Sequence, residues 1–226
     1  MNGSTKHLTL ERLTKDHIHV IRALQGHVKA SLDDPDLLVE LTEEEIDRIT
    51  GEESGLAVGV MNTAEELVGL HAVLYPGPEE NLGRSLNMPE ETLDEIFHLE
   101  ISFIHPAYRG KALMVTMCQW LLDQVALEGR YRYACATISP YNIGSVKNTM
   151  LSGNAVVDMQ EKYGGLERYI LFQDLEQPAQ YDEPQTRFVE IGDDPLAPVT
   201  WLKAGYHGVA IEKKEDKTVM VMKKPL

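Results

Sequence analysis

Residues 97–127 read FHLEISFIHPAYRGKALMVTMCQWLLDQVAL, and this stretch decides the architecture of the chain. In Phe97–His105, polar side chains recur at alternate positions within an apolar run, which predicts a β-strand; Pro106 ends it. Gly110–Leu127 has the apolar spacing of a long helix. The apolar face of this helix is predicted to consist of Leu113, Met117, Trp120, Leu121 and Val125. The stretch therefore predicts a strand, a tight turn and a long helix.

The predicted turn carries Arg109, Gly110 and Lys111. The first turn of a helix has unpaired backbone N–H groups and the positive end of the helix dipole, which together bind phosphate. Gly110 allows the backbone to approach a ligand closely, and the two cations add positive charge. A phosphate-binding loop and an ordinary strand–helix turn both fit these residues. A nucleoside-triphosphate P-loop does not fit, because Lys111 is followed by Ala112, and the spaced glycines of a dinucleotide fingerprint are absent.

Strand and helix patterns extend on both sides of this stretch and indicate an α/β fold. Predicted strands are His7–Leu13, Leu56–Met61, Leu67–Tyr75, Tyr133–Ser139, Val156–Lys162 and Arg168–Leu175. Predicted helices are one that follows Thr14 and breaks at Asp33–Asp36, then Thr42–Ile49, Pro89–Ile96 and Asn142–Leu151. Pro76–Met88 is rich in Pro, Gly and Asn, and a loop is predicted there.

The C-terminal part of the chain is predicted to be a separate unit. Glu176–Pro184 is polar and contains proline, which is typical of a linker. We therefore predict a domain over residues 1–176 and an extension of strand, helix and hairpin over residues 185–226. Asn142–Gly153 and Asp194–Gly205 have the same spacing, which predicts a partial repeat of the domain's C-terminal half. A loose alignment of two unrelated strand–helix–hairpin segments is the alternative.

Charge and cysteine content narrow the classes of partner. The 226 residues carry a formal net charge of −15, which disfavours nucleic acid and anionic membranes as partners. A cationic small substrate fits this charge, and a role in solubility alone is the alternative. Cys118 and Cys135 lie in apolar runs and form no disulfide framework. The segment Met1–Arg12 has no apolar core of signal-peptide length, and no apolar run approaches the ~20 residues that span a bilayer. A cytoplasmic protein is expected.

The segment Leu8–Leu175 resembles the GNAT superfamily of N-acetyltransferases. The pyrophosphate loop of that family begins with Arg or Gln, and Arg109 matches it, whereas Ala112 and Met114 stand where Gly and Gly or Ala are usual. A second family pattern places Ala or Ser three residues after an Asn and Gly eleven residues after it. The residues that match this second pattern are Asn142, Ser145 and Gly153, and the strand Arg168–Leu171 is also similar.

The resemblance implies a mixed sheet whose middle strands splay apart, flanked by helices, with acetyl-CoA as the cofactor. The pantetheine arm would pair with the backbone of Ser102, Phe103 and Ile104. The pyrophosphate would lie on the amides of the loop, with Asn142 and Ser145 holding the cofactor from the other side. The loop residues implied in cofactor binding are Arg109, Gly110, Lys111, Ala112, Leu113 and Met114.

Glu100 is the candidate catalytic residue, since several members of the family carry a catalytic Glu six residues before the corresponding proline. A carboxylate there would take a proton from the attacking amine; a structural carboxylate is the alternative. Strand alternation places His98 on the same face, where a half-buried histidine or a base both fit. The family's usual proton-donating Tyr is replaced by Thr149, so water or Tyr141 would serve.

These observations predict an N-acyltransferase that moves an acetyl or other acyl group from acyl-CoA to a primary amine of a small molecule by direct transfer. Two alternatives remain. One is a non-catalytic acyl-CoA-binding protein or sensor. The other is a partner-binding module with a degenerate cofactor site. No metal site is predicted, and a homodimer fits such a fold.

Overall fold

The computed structural model describes residues 7–32, 38 and 40–226, and the chain forms two compact units. The first unit comprises the described residues of 1–80 together with 98–130, and the second comprises 81–97 and 131–226. The predicted domain limits, 1–176 and 185–226, stay a prediction. The predicted break at Asp33–Asp36 lies outside the described residues.

Strands and helices alternate along most of the described chain, which confirms the predicted α/β class. The strands are β1 (Thr9–Leu13), β2 (Gly55–Met61), β3 (Leu67–Leu74), β4 (Ile96–Ile104), β5 (Tyr133–Ile138), β6 (Ala155–Lys162), β7 (Leu166–Asp174), β8 (Tyr181–Glu190), β9 (His207–Lys214) and β10 (Lys217–Pro225). The α-helices are α1 (Ile18–Lys29), α2 (Glu43–Thr50), α3 (Leu82–Ser85), α4 (Leu113–Glu128), α5 (Ile143–Leu151) and α6 (Val199–Lys203). Among the described residues, no helix is both long and apolar enough to cross a membrane.

In the first unit, β1, β2, β3 and β4 pair in that order as antiparallel neighbours. Helices α1 and α2 cover one face of β2 and β3, and their apolar stripes form a core. That core includes Leu13, Ile21, Leu24, Ile46, Leu70 and Phe103. Helix α2 begins with a capping box, in which Thr42 Oγ1 accepts a hydrogen bond from the Glu45 amide and the Glu45 carboxylate accepts one from the Thr42 amide. The strand β4 that carries the predicted site therefore belongs to a sheet backed by helices.

In the second unit the strand order is β5, β7, β6, β9, β10, β8, with antiparallel pairing throughout. The side chain of Arg132 joins β5 to β7 through two hydrogen bonds to Asp174, of 2.9 and 2.7 Å. Both side chains are less than a quarter exposed. A bidentate, partly buried pair of this kind is stronger than an ordinary surface ion pair.

The structure corrects three boundaries predicted from sequence. The predicted loop Pro76–Met88 contains α3, because Asn81 caps it by accepting from the Gly83 amide, and Leu82 joins a buried cluster with Leu93. Strand β8 begins within the predicted linker Glu176–Pro184. Helix α4 begins at Leu113 rather than Gly110, because the residues before it leave the helical region of φ.

Candidate functional site

A β-bulge lies at Glu100. Opposite β4, Ala72 of β3 pairs with Ile101 and Val73 pairs with Leu99, so Glu100 is the extra residue outside the ladder. Bulges redirect side chains and are frequent beside active sites. Strict alternation along β4 predicted that His98 and Glu100 lie on the same face of the strand. The bulge interrupts that alternation, so their shared face stays a prediction.

The environment of Glu100 raises the pKa of its carboxyl, chiefly through loss of water. Although Glu100 is exposed, loss of water around the carboxylate is the largest cause, and Glu80 and Glu45 raise the pKa further, whereas Arg48 lowers it. A carboxylate with a raised pKa is a stronger base than an ordinary glutamate. Glu100 therefore has the electrostatic setting of a proton acceptor.

Arg48 and Glu80 form an ion pair beside this carboxylate. The guanidinium Nη2 of Arg48 lies 2.5 Å from Glu80 Oε2, and Nη1 lies 3.5 Å from Oε1. Glu100 is among the carboxylates that raise the pKa of Arg48, although the hydrogen bond that Arg48 donates to Glu80 is the largest cause. One arginine thus faces at least two carboxylates, and the local charge is negative.

Two buried histidines lie on the strands next to Glu100. Burial lowers the pKa of His98 to about 4 against an opposing contribution from Glu80, and it lowers the pKa of His71 to about 4. Both rings are therefore neutral at pH 7. His71 was not predicted from the sequence; the available signal was a single basic side chain inside the apolar run of β3.

The loop after β4 has an unusual backbone. His105 Nδ1 accepts a hydrogen bond of 3.2 Å from the Ala107 amide and starts a single 3₁₀ turn, Pro106–Tyr108. Gly110 and Ala112 then adopt left-handed conformations, with φ of +75° and +56°. Because Ala112 is the residue before α4, this geometry sets the direction in which the helix begins.

The first amides of α4 are unpaired. The first backbone hydrogen bond of the helix runs from the Thr116 amide to the Ala112 carbonyl. Among the residues that the structure describes, none accepts a hydrogen bond from the amides of Leu113, Met114 or Val115. Three such amides at the positive end of a 16-residue helix are donors of the kind that can bind phosphate.

The charged side chains of the loop itself, Arg109 and Lys111, are both positive. Residues 101–122 contain no Asp or Glu, in a chain whose net charge is −15. Arg109 is exposed and donates to Ser31 Oγ at 3.0 Å, and Lys111 Nζ lies 4.8 Å from the ring centroid of Tyr108. A side chain at Gly110 would meet no heavy atom within 4 Å, so the loop is open. These residues fit the phosphates of a phosphorylated cofactor.

Residues 102–104 of β4, which are predicted to contact the pantetheine arm, pair along one edge with β3. Ser102, Phe103 and Ile104 pair with His71, Leu70 and Gly69 of β3, respectively. Their role in binding a pantetheine arm stays a prediction.

In the second unit, Asn142 and Ser145 have a structural relationship that explains their spacing. The side chain of Asn142 caps α5 by accepting a hydrogen bond of 3.1 Å from the Ser145 amide. Gly153 follows the helix with φ of +99°, where glycine is unstrained. The binding of a cofactor by Asn142 and Ser145 stays a prediction.

The candidates for a proton donor in the second unit differ in exposure. Thr149 is 2% exposed, whereas Tyr141 is 64% exposed and donates to Glu167 Oε2 at 3.4 Å. The Glu167 charge is the largest cause that raises the pKa of Tyr141. Burial also raises the pKa of Cys135, to about 12, so this thiol is not a nucleophile at neutral pH. Within the described residues, no group of three or more His, Cys, Asp or Glu side chains could hold a metal ion.

Comparison with solved structures identifies the fold. No protein-family model matches the sequence, and no curated protein matches it significantly. An acetyltransferase of the GNAT family from Streptococcus pneumoniae is similar with a TM-score of 0.57 at 14% identity, over 74% of this chain and 99% of that one. Similar values hold for yncA from Salmonella typhimurium, solved with its cofactor acetyl-CoA (TM-score 0.57, 14% identity, 78% and 99% coverage).

A third similar structure is the aminoglycoside acetyltransferase AAC(6')-Ib in complex with coenzyme A and kanamycin. Its TM-score is 0.53 at 12% identity, over 75% of this chain and 96% of that chain. Helix-backed strands in the same arrangement thus recur in proteins of very different sequence. The chain has the fold of the GNAT-family acetyltransferases.

Proposed function

We propose that the protein is an N-acyltransferase that moves an acetyl or other acyl group from acyl-CoA directly to a primary amine of a small molecule. The observation that carries the proposal is one continuous segment of the first unit. In it, the bulged strand with Glu100 leads through a cationic loop into the unpaired amides of α4. A base and an anion-binding helix terminus are the two parts that acyl transfer from a CoA thioester requires.

The loop would hold the phosphates of the cofactor. The amides from Gly110 to Met114 would bind the pyrophosphate, and Arg109 and Lys111 would add charge. Ser102, Phe103 and Ile104 would bind the pantetheine arm, with Asn142 and Ser145 as further contacts. The cofactor supplies an activated acyl thioester, and two structures with this fold contain acetyl-CoA or coenzyme A.

Glu100 would act as the base. An amine in water is largely protonated, and only its neutral form has the lone pair that attacks a carbonyl carbon. The Glu100 carboxylate would take the proton as the new C–N bond forms and the C–S bond breaks. Water would supply the proton for the released thiol, because Thr149 is buried and its hydroxyl is a weak acid. The raised pKa of Glu100 favours the transfer of the proton from the amine to its carboxylate.

The acceptor would be cationic before it reacts. The carboxylates of Glu80 and Glu100 outnumber the guanidinium of Arg48, and the whole chain carries a net charge of −15. An ammonium group is attracted to such a site. AAC(6')-Ib, which shares the fold, was solved with kanamycin, and a polycationic small molecule is the acceptor class to screen first.

Cofactor binding is tested by calorimetric titration of acetyl-CoA into the wild type, Lys111→Glu and Lys203→Glu. The two variants make the same charge change at exposed positions, one in the loop and one in α6. We expect Lys111→Glu to weaken binding by about tenfold, equivalent to about 1.4 kcal/mol, and Lys203→Glu to leave it unchanged. Equal effects of both variants, or no binding by the wild type, would contradict the cofactor site and favour the partner-binding module.

Catalysis is tested by screening small amines for thiol release, then comparing the wild type with Glu100→Gln. We expect kcat/KM to fall by about 10²- to 10⁴-fold while the affinity for acetyl-CoA is unchanged. Tight cofactor binding without turnover of any amine would favour the acyl-CoA sensor instead.

A further inference from the structure

The second unit contains the same topology twice. β5, α5, β6 and β7 form a strand, a helix and a hairpin, in which the first strand pairs with the last. β8, α6, β9 and β10 repeat that order and that pairing. Each helix is followed by a left-handed glycine, Gly153 with φ of +99° and Gly205 with φ of +78°. The two segments therefore agree in topology and in backbone conformation as well as in sequence spacing.

The contact between the two copies has local twofold symmetry. The spacing that takes Gly153 to Gly205 also takes Val156 to Gly208, and Val156 and Gly208 are the residues that pair between β6 and β9. When a residue pairs with its own counterpart in an antiparallel ladder, a twofold axis passes between the two. The two copies thus meet as the subunits of a symmetric dimer meet.

Helix packing follows the same symmetry. Helix α5 packs on β9, and its counterpart α6 packs on β6. The Met150 side chain of α5 comes within 3.3 Å of the position that a Cβ atom would take on Gly208. Reciprocal contacts of this kind define an isologous interface, which here lies within one chain.

We propose that Tyr181–Pro225 is a second copy of the strand–helix–hairpin and that it occupies the edge of β6 as a built-in twofold partner. The partner that fits this edge is another copy of the same hairpin, and the chain supplies it itself. The edge of β6 is therefore already occupied, and this chain cannot form a homodimer through it. The second copy carries Asp194 in place of Asn142, and a carboxylate there disfavours phosphate, so this copy is a scaffold rather than a second cofactor site.

The test uses hydrogen exchange and sedimentation of the full chain, with Gly208→Val as the variant. A side chain at Gly208 would lie 2.5 Å from Met220 Sδ and would crowd Met150, so the β6–β9 contact should open. Gly192→Val is the matched control, because its nearest atom, Thr218 Cβ, lies at an ordinary 3.9 Å. We expect amides of residues 155–158 and 207–210 to exchange at least about tenfold faster in Gly208→Val only.

The oligomeric state gives the second readout. We expect the wild type to show no concentration-dependent protection of residues 155–162, and Gly208→Val to gain a dimer that protects them. A wild-type dimer that protects residues 155–162, or a Gly208→Val variant indistinguishable from Gly192→Val, overturns the proposal.

A separate observation concerns the bulge at Glu100. His71 Nδ1 lies 2.7 Å from the carbonyl oxygen of Ile101, the residue after Glu100. Because a carbonyl only accepts, Nδ1 carries the hydrogen and Nε2 carries the lone pair. The ring is 2% exposed, and within the described residues Nε2 has no hydrogen-bond partner. The interaction with Ile101 is thus the polar contact that accounts for a histidine inside this sheet.

We infer that His71 is a positioning residue that holds the bulge and thereby the Glu100 carboxylate; this inference rests on the proposed function. A bulge interrupts the ladder of backbone hydrogen bonds, and the His71 side chain supplies a donor at that interruption. Its neutral ring makes the contact without placing a charge in the core.

The test compares His71→Leu, which removes the donor, with His71→Asn, whose amide keeps one. We expect His71→Leu to lower kcat by about 10- to 100-fold at unchanged KM for acetyl-CoA, and His71→Asn to restore most of it. Equal kcat for the Leu variant and the wild type overturns the inference. Nitrogen-15 NMR of the wild type keeps the test independent of turnover: the hydrogen is expected on Nδ1, and a hydrogen on Nε2 overturns the inference even if no amine is acetylated.

Discussion

Replacement of Ala112 by glycine is expected to stabilise the protein. Ala112 has φ of +56° and ψ of +19°, in the left-handed region, which costs an L-residue about 1–2 kcal/mol. Glycine removes that cost but gives the unfolded chain more conformational entropy, which opposes the gain by about 0.4–1 kcal/mol. The net expected stabilisation is about 0.5–1 kcal/mol, or a rise in Tm of about 1–4 °C for a chain of this size.

The control is the reverse change at Gly110, which has φ of +75°. A Cβ atom there would meet nothing within 4 Å, so Gly110→Ala adds conformational strain without a clash. We expect Gly110→Ala to lower the free energy of unfolding by about 0.5–1 kcal/mol, because the strain of about 1–2 kcal/mol is partly offset by the lower conformational entropy of the unfolded chain. Both variants are measured by thermal and urea unfolding followed by circular dichroism, with acetyl-CoA titration to check that the loop still binds.

The two readings of Ala112 predict opposite signs. If Ala112 lay inside a regular helix, glycine would destabilise the protein by about 1 kcal/mol. A loss of stability in Ala112→Gly would therefore refute the left-handed loop, and with it the direction in which the α4 amides point. A gain in Ala112→Gly with a loss in Gly110→Ala would support that geometry.

Three further predictions concern ionisable groups. The folded state holds the pKa of His71 and His98 at about 4, so the unfolded state binds more protons than the folded state as the pH falls below 6.5. The free energy of unfolding should therefore fall by up to about 1.4 kcal/mol per pH unit for each ring between pH 6.5 and 4. In urea titrations, the free energy of unfolding of His98→Gln should depend less steeply on pH than that of the wild type, and an equal dependence would contradict the assigned pKa. Asp174 has a lowered pKa, chiefly through its hydrogen bond with Arg132, so Asp174→Asn should lower Tm at pH 7. The difference in Tm should shrink as the pH falls towards and through the folded pKa, and a difference that does not shrink in acid would contradict the lowered pKa. The thiol of Cys135, with a pKa raised to about 12, should react with a thiol reagent at pH 8 only after unfolding, and rapid reaction of the native protein would contradict its burial.

The loop after β4 shows how much of the candidate site followed from local sequence. Arg109, Gly110 and Lys111 between an apolar strand and a long helix predicted a turn, either phosphate-binding or ordinary, and the structure has the expected strand, turn and helix there. The Asn142–Ser145 spacing likewise corresponds to a helix cap. Capping, glycine conformation and helix periodicity act over a few residues, so they are readable without tertiary contacts.

The bulge at Glu100 could not be predicted in the same way. It exists because β4 pairs with β3 out of register between Leu99 and Ile101, and register is set by residues about thirty positions away in the chain. The contact of His71 with Ile101 and the pair Arg48–Glu80 depend on the same long-range packing. Burial lowers the pKa of His71, and the hydrogen bond with Glu80 is the largest cause that raises the pKa of Arg48; both causes exist only in the folded chain.

In the C-terminal segment, too, the local elements could be predicted from sequence, whereas their pairing could not. Turn residues and apolar periodicity are local properties, so the amino-acid sequence was enough to predict a strand, a helix and a hairpin over residues 185–226, with Gly205 at the spacing of Gly153. The pairing of Val156 with Gly208 and the packing of each helix on the other copy's strand follow from long-range contacts that local patterns do not contain. An exposed strand edge can pair with any complementary edge, and the choice among them depends on packing between segments far apart in sequence.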